Sequence, residues 1–272
     1  TVKVVLGFLE LALAFKFLSN ADLVAHWNIL KIEPFLGVWI IIGLILTLYL
    51  FGKIKFPHDS PVQKQSPKRI FVGLLTFAFT VYLISGFQVN KETNTFTALT
   101  LLSGLAPPVG YSFFYPNECP NNVACFKDLK TGIVFAKKEN KPILLDFTGY
   151  ACVNCRKMEE HVWLLPKIDN LIRNEYVLIS LYVDDKKALP LDEQINVETF
   201  NGTVKTLKTY GDKWAYYQTQ FFNTNSQPYY ALLNSDATQF LNKPVGYTPN
   251  ENEYLKFLEC GLVSFRERLF MN

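Results

Sequence analysis

The sequence predicts an α/β domain, a mixed sheet flanked by helices, preceded by an all-α transmembrane segment. Long uncharged apolar runs are confined to residues 1–95. From residue 111 onward, short β-branched and aromatic runs alternate with amphipathic ones, the pattern of strands interleaved with helices. All five cysteines, Cys119, Cys125, Cys152, Cys155 and Cys260, fall in this second part.

Residues 35–51 (FLGVWIIIGLILTLYLF) carry no charge and follow Pro34, which suits a helix start. Residues 70–87 (IFVGLLTFAFTVYLISGF) are likewise uncharged. Each approaches the roughly 20 residues that span a hydrocarbon core. Residues 2–18 form a third expected span despite Lys3, Glu10 and Lys16. The lysines lie near the ends, within reach of the interface, whereas Glu10 is expected to face neighbouring helices. Residues 96–110 are apolar but short and contain Pro107-Pro108, so they read as an interfacial segment and linker.

The loop 52–69 holds Lys53, Lys55, Lys64, Lys68 and Arg69 against Asp59. The positive-inside rule places it in the cytoplasm and everything after the helix at 70–87 on the opposite side. The net charge of +3, with no basic run interleaved with aromatics, argues against nucleic acid as a partner. Thr1 opens inside an apolar stretch without the order of a signal peptide, so a fragment of a longer protein is expected.

In the polar part, residues 126–140 place Phe126, Leu129, Ile133 and Ala136 on one helical face. Residues 142–147 (PILLDF) read as a buried strand, and Thr148-Gly149-Tyr150 as a turn into a helix at 152–163. A short helix at 166–174 and a strand at 176–183 follow. Residues 184–209 read as a polar connection with an Asn201-Gly202 turn. A helix at 212–222, strands at 229–234 and 244–247, and a helix at 251–269 complete the domain, residues 111–272. A parallel pair closed by an antiparallel hairpin is the thioredoxin order.

Cys152-Val153-Asn154-Cys155 stands just after a buried strand, at the first turn of a helix, where a C-x-x-C pair reads as redox-active. Free N–H groups and the positive dipole end favour thiolate at Cys152. Cys155, one turn on, is placed to resolve a mixed disulfide. A zinc site is disfavoured: Cys119 and Cys125 have the wrong spacing and His26, His58 and His161 form no ligand pair. Asp146 sits in an apolar strand, either as a proton acceptor for Cys155 or as a strand-end carboxylate reaching water. Glu159 shares the Cys155 helix face, to tune the thiols or to face solvent. Pro228 opens a strand expected beside the active site, in cis or trans.

The run from Asp146 to Glu159 (DFTGYACVNCRKME), with Gln227-Pro228-Tyr229, closely resembles the C-terminal periplasmic domain of the DsbD family, bacterial transmembrane thiol:disulfide interchange proteins. Residues 4–14 (VVLGFLELALA) and 56–61 (FPHDSP) resemble the last helices of its membrane domain. The resemblance implies a multi-pass protein of the bacterial inner membrane with its C-terminal domain in the periplasm. It implies a membrane electron-transfer domain of the same protein as donor. The implied acceptors are an N-terminal periplasmic domain and periplasmic thiol–disulfide proteins, namely disulfide isomerases and cytochrome c maturation factors. The cysteine pair is then the redox group, with no further cofactor or metal and the lipid bilayer around the helices. Asp146 and Glu159 are implied to modulate the thiols, and Tyr150, Gln227 and Pro228 to contact substrate. The family's aromatic residue usually just precedes the first cysteine, whereas here Ala151 does, and Tyr150 stands one position earlier. The family's membrane cysteine pair has no counterpart in residues 1–110.

In an oxidising compartment Cys119 and Cys125 are expected to form a structural disulfide across the Pro120-Asn121-Asn122 turn, leaving Cys260 as a buried thiol. Two rival functions remain: a stand-alone membrane-anchored thioredoxin-like reductase, and a redox-inactive binding module of the same fold.

Overall fold

A computed structural model describes residues 2–56, 66–91, 93–199 and 202–271. The 57–61 part of the FPHDSP motif, Lys64 in the basic loop and Asn201 of the expected turn lie outside these residues. The chain divides into two compact units, residues 1–22 with 27–117, and residues 23–26 with 118–272.

The first unit contains α1 (Val2–Ala25), α2 (Ile32–Leu50) and α3 (Pro67–Ser85), followed by a small antiparallel pair, β1 (Val89–Asn90) and β2 (Thr95–Phe96). α1 outruns the expected 2–18 because nothing in Ser19–Ala25 breaks it; it stops where His26 turns to φ 57°. The Ser66 hydroxyl accepts the Arg69 N–H and caps α3, with Pro67 in its first turn. α2 and α3 are long and apolar enough to cross a membrane. α3 leaves Phe71, Leu74, Leu75, Phe77, Val81 and Ile84 exposed, an apolar surface that water does not favour.

Three expectations are corrected here. Glu10 is exposed, on the α1 face it shares with Leu6, Leu13 and Phe17, and Lys16 is the buried one, in phase with Ser19 and Leu23. Residues 96–110 are no simple linker: Phe96, Leu99 and Leu102 pack into one core with Leu36 and Leu83. The first unit also runs on past residue 111. The Tyr111 hydroxyl donates to Asp22 at 2.6 Å, and Glu33 accepts from the Ser112 hydroxyl and the Phe113 N–H.

In the second unit β3 (Cys125–Phe126) leads into α4 (Leu129–Glu139) and β4 (Ile143–Thr148). The helix expected from 126 starts later because Asp128 caps it, its carboxylate accepting the Thr131 N–H, while Phe126 pairs with Ile179 in the sheet. The redox helix α5 (Val153–Lys157) passes into a π-helical turn (Met158–Val162). α6 (Pro166–Asn174), β5 (Val177–Tyr182), the hairpin β6 (Asn196–Glu198) and β7 (Val204–Thr206), α7 (Tyr210–Phe222), β8 (Tyr229–Leu233) and α8 (Glu251–Met271) follow. The stretch expected as a plain polar connection, 184–209, thus holds a hairpin over a small core of Leu189, Val197 and Leu207. The strand expected at 244–247 is reduced to a single bridge, Tyr230 to Val245, and a second bridge outside it joins Leu233 to Phe240.

The sheet order is β3-β5-β4-β8, with β3 and β4 parallel to β5 and β8 antiparallel to β4. β4 and β5 are buried throughout, as central strands covered on both faces must be. One face packs Met158, Trp163, Ile168 and Ile172 with the α8 stripe Tyr254, Leu258, Leu262 and Phe265. The other packs Leu129, Ala136 and Trp214. The closing antiparallel strand brings Tyr229 opposite Phe147 and so sets Pro228 level with the end of β4, where the cysteine loop emerges.

Candidate active site

The loop from β4 to α5 carries the reactive pair, and Cys152 and Cys155 are joined in a disulfide. Cys152 is the N-cap of α5, half-buried, and its sulfur accepts the Cys155 N–H at 3.1 Å. That position faces the free N–H groups of the helix start. Cys155 is 1 % exposed, so only Cys152 is open to another protein.

The peptide before Cys152 is held from β5. Asp184, just past the strand, accepts the Tyr150 N–H at 2.8 Å and the Ala151 N–H at 2.9 Å. Gly149 leaves room for this contact, since a Cβ on it would lie 2.9 Å from the Asp184 carboxylate. The Tyr150 ring stacks on Tyr182 with centroids 4.1 Å apart, and the Lys127 ammonium lies 6.0 Å from the Tyr150 centroid. Tyr150 is therefore committed to a packed aromatic pair within the domain. The Gln227-Pro228 peptide is cis. The Gln227 amide donates to Gln218 at 2.8 Å and to the Asn225 carbonyl, which ties the turn to α7.

The domain also holds a buried ionisable cluster of Asp146, Arg156 and Glu159. Asp146 is 1 % exposed; one oxygen accepts from Ser180 at 3.2 Å, and the other is without a hydrogen-bond partner among the described residues. Burial raises its pKa to about 7, against the opposing Ser180 hydrogen bond and Arg156 charge. Glu159 is 3 % exposed and pairs with Arg156 at 2.6 Å. Burial also raises its pKa, to about 8, outweighing the guanidinium beside it. Burial opposes the charge on Arg156, but the Glu159 field overcomes it and raises its pKa, so the cation is retained. Of the two roles open to Glu159, the solvated one is excluded by its burial. The same holds for a water-facing Asp146.

Cys119 and Cys125 are joined by a second disulfide, S–S 2.03 Å, on a loop at the edge of the sheet. Cys260 is free and exposed, not buried as expected, because it falls off the Leu258–Leu262–Phe265 stripe of α8. Among the described residues no cluster of His, Cys, Asp and Glu could hold a metal ion.

Sequence reasoning missed Arg156, Tyr182, Ser180 and Asp184. Arg156 carried a signal, its i,i+3 spacing to Glu159. Ser180 and Asp184 acquire their roles only through the β4–β5 register, which pairs Asp146 with Ser180.

Residues 129–260 match the family model of the thioredoxin-like domain. No curated protein matches. Solved structures similar to this chain include a DsbH oxidoreductase, 16 % identical, covering 54 % of this chain and 91 % of that one at a TM-score of 0.38. A thioredoxin from Thermus thermophilus is 15 % identical over 50 % of this chain and 84 % of its own, TM-score 0.35. A thioredoxin-fold protein from Helicobacter pylori is 15 % identical over 51 % and 86 %, TM-score 0.33.

Proposed function

We propose that this chain is a membrane-anchored thiol–disulfide oxidoreductase that passes reducing equivalents to extracytoplasmic protein disulfides through Cys152 and Cys155. The observation that carries this reading is the asymmetry of the pair: a partly exposed cysteine at a helix N-cap and a buried one a turn on, with a buried carboxylate, Asp146, in the strand that leads to them. In the reducing direction the Cys152 thiolate attacks a substrate disulfide, forming a mixed disulfide and releasing one substrate thiolate. Cys155 then loses its proton to Asp146 and attacks the Cys152 sulfur. The bond to substrate breaks, the second substrate thiol leaves, and the dithiol becomes the disulfide seen here.

The motif resemblance supports a finer version, a DsbD-type relay in the bacterial inner membrane. There a membrane electron-transfer domain reduces Cys152–Cys155, and periplasmic disulfide isomerases and cytochrome c maturation factors accept the electrons. The exposed apolar face of α3 supports membrane anchoring. The basic residues Lys53, Lys55, Lys68 and Arg69 support the cytoplasmic side for that loop.

Dithiothreitol-driven reduction of insulin tests the activity. The full chain is expected to accelerate it, and Cys152→Ala to abolish the acceleration; a wild-type chain without effect overturns the reading. Topology is tested with single cysteines at Lys55 and Lys243, both exposed, in a chain cleared of native ones. A membrane-impermeant thiol reagent is expected to label only the second in intact cells, and equal labelling rejects the orientation.

A further inference from the structure

We propose that Asn121, presented by the Cys119–Cys125 disulfide loop, is a positioning residue that sets Glu159 in place in the buried cluster. The proposal deepens the exchange reading above and rests on it for its functional meaning.

The redox helix changes register after Cys155. The Trp163 N–H reaches back to the Met158 carbonyl at 2.9 Å, five residues away. In an α-helix that N–H would bind the Glu159 carbonyl. Here the Asn121 side-chain amide takes it instead, donating to the Glu159 oxygen at 2.6 Å. A π turn is an inserted residue that recurs at functional sites, and it needs outside partners for the groups it displaces.

The donor is held firmly. Asn121 adopts φ 53° and ψ 26°, a left-handed conformation that asparagine tolerates better than most residues, and Asn122 follows at φ 56°. The disulfide closes the loop around them. Arg173 donates to the Asn121 carbonyl at 2.6 Å and to the Asn122 carbonyl at 2.9 Å, its guanidinium gripped in turn by Asp169. Val123 plugs the loop into the core beside Met158, Val162 and Trp163.

The consequence falls on the Glu159 side chain. With its carbonyl held by Asn121, it turns inward onto Arg156 and is 3 % exposed. The charged and titratable groups around it are Arg156 and Glu160 of its own segment, Asp146 of β4, Tyr182 of β5 and Tyr230 of β8. Without the Asn121 amide, the Glu159 carbonyl is free to take the Trp163 N–H. The Glu159 peptide then loses its tether to the loop, and its carboxylate is no longer held in the cluster.

The test is a carboxyl 13C NMR titration of Glu159 in the oxidised full chain in detergent. Asn121→Gly keeps the left-handed backbone and removes only the amide. It is expected to move the Glu159 midpoint down by about half a unit or more, toward the ordinary carboxylate range. The Cys119→Ala/Cys125→Ala double variant is expected to move it the same way. A Glu159 midpoint unmoved in Asn121→Gly overturns the proposal, even where the melting temperature falls, because the loop is then a structural clasp alone. The titration needs no substrate, so it stands apart from the insulin assay: either reading can fail without the other.

Discussion

Cys155→Ala is expected to accumulate a stable mixed disulfide with donor or acceptor partners through Cys152, and Cys152→Ala to accumulate little. Cys152 caps α5, where its sulfur accepts the Cys155 N–H and meets the positive end of the helix. Both terms that set exchange rate, thiolate fraction and access, therefore favour it. Cys155 is 1 % exposed, so its sulfur reaches only Cys152. Without it, the partner stays bound because no second thiolate is near enough to displace it. The ratio of trapped complex between the two variants is expected to be about tenfold or more. Non-reducing electrophoresis after acid quench, with mass mapping of the linked peptide, measures it. Accumulation through Cys155 in Cys152→Ala would reverse the roles assigned here.

The architecture of the second unit was legible because its signals are local. The apolar strand at 143–147, the Pro at the start of α6 and the amphipathic α8 each announce themselves within one window, and α6 falls where its periodicity places it. Local signals failed where a tertiary contact decided the outcome. Phe126 has the helical spacing of Leu129 and Ile133, yet backbone pairing with β5 claims it and Asp128 caps the helix behind it. In the first unit, 96–110 has linker composition but supplies Leu99 and Leu102 to a core whose other half lies in α2 and α3. The candidate site divides in the same way. A cysteine pair at a helix start is a sequence motif, so Cys152 and Cys155 can be found without coordinates. Asp146 shows as an anomaly, a carboxylate in an apolar strand. Asn121 is beyond such reading, because its role depends on a register shift in a helix far along the chain.

Asp146→Asn is expected to slow the reaction and to stabilise the fold, two opposite effects with one cause. The carboxyl is buried on β4, with one hydrogen bond from Ser180, and burial holds its pKa near 7. Its pKa in the unfolded chain is about 3.9. The folded state therefore binds the proton more tightly than the unfolded state does. Below about pH 4 both states are protonated and the site costs nothing. As pH rises from about 4 toward 7 the unfolded chain ionises first, and folding stability is lost until the folded group ionises too. The asparagine never ionises, so the variant escapes that loss. It is expected to exceed the wild type by roughly 2–4 kcal/mol at pH 8 and by nearly nothing at pH 4. Urea denaturation of the oxidised chain at the two values measures this. In exchange, the same substitution removes the group that takes the Cys155 proton. A general base of this kind contributes roughly 10²–10⁴-fold, so decay of the mixed disulfide is expected to slow by about a hundredfold. The first attack, made by Cys152 from the helix end, should change far less. Single-turnover kinetics separate the two steps, and the wild-type resolution rate should rise with pH around 7 while the variant's loses that inflection. A variant that resolves at the wild-type rate removes Asp146 from the proton path. A stability gain of equal size at pH 4 and pH 8 would show that side-chain shape, not the buried charge, is what the asparagine relieves.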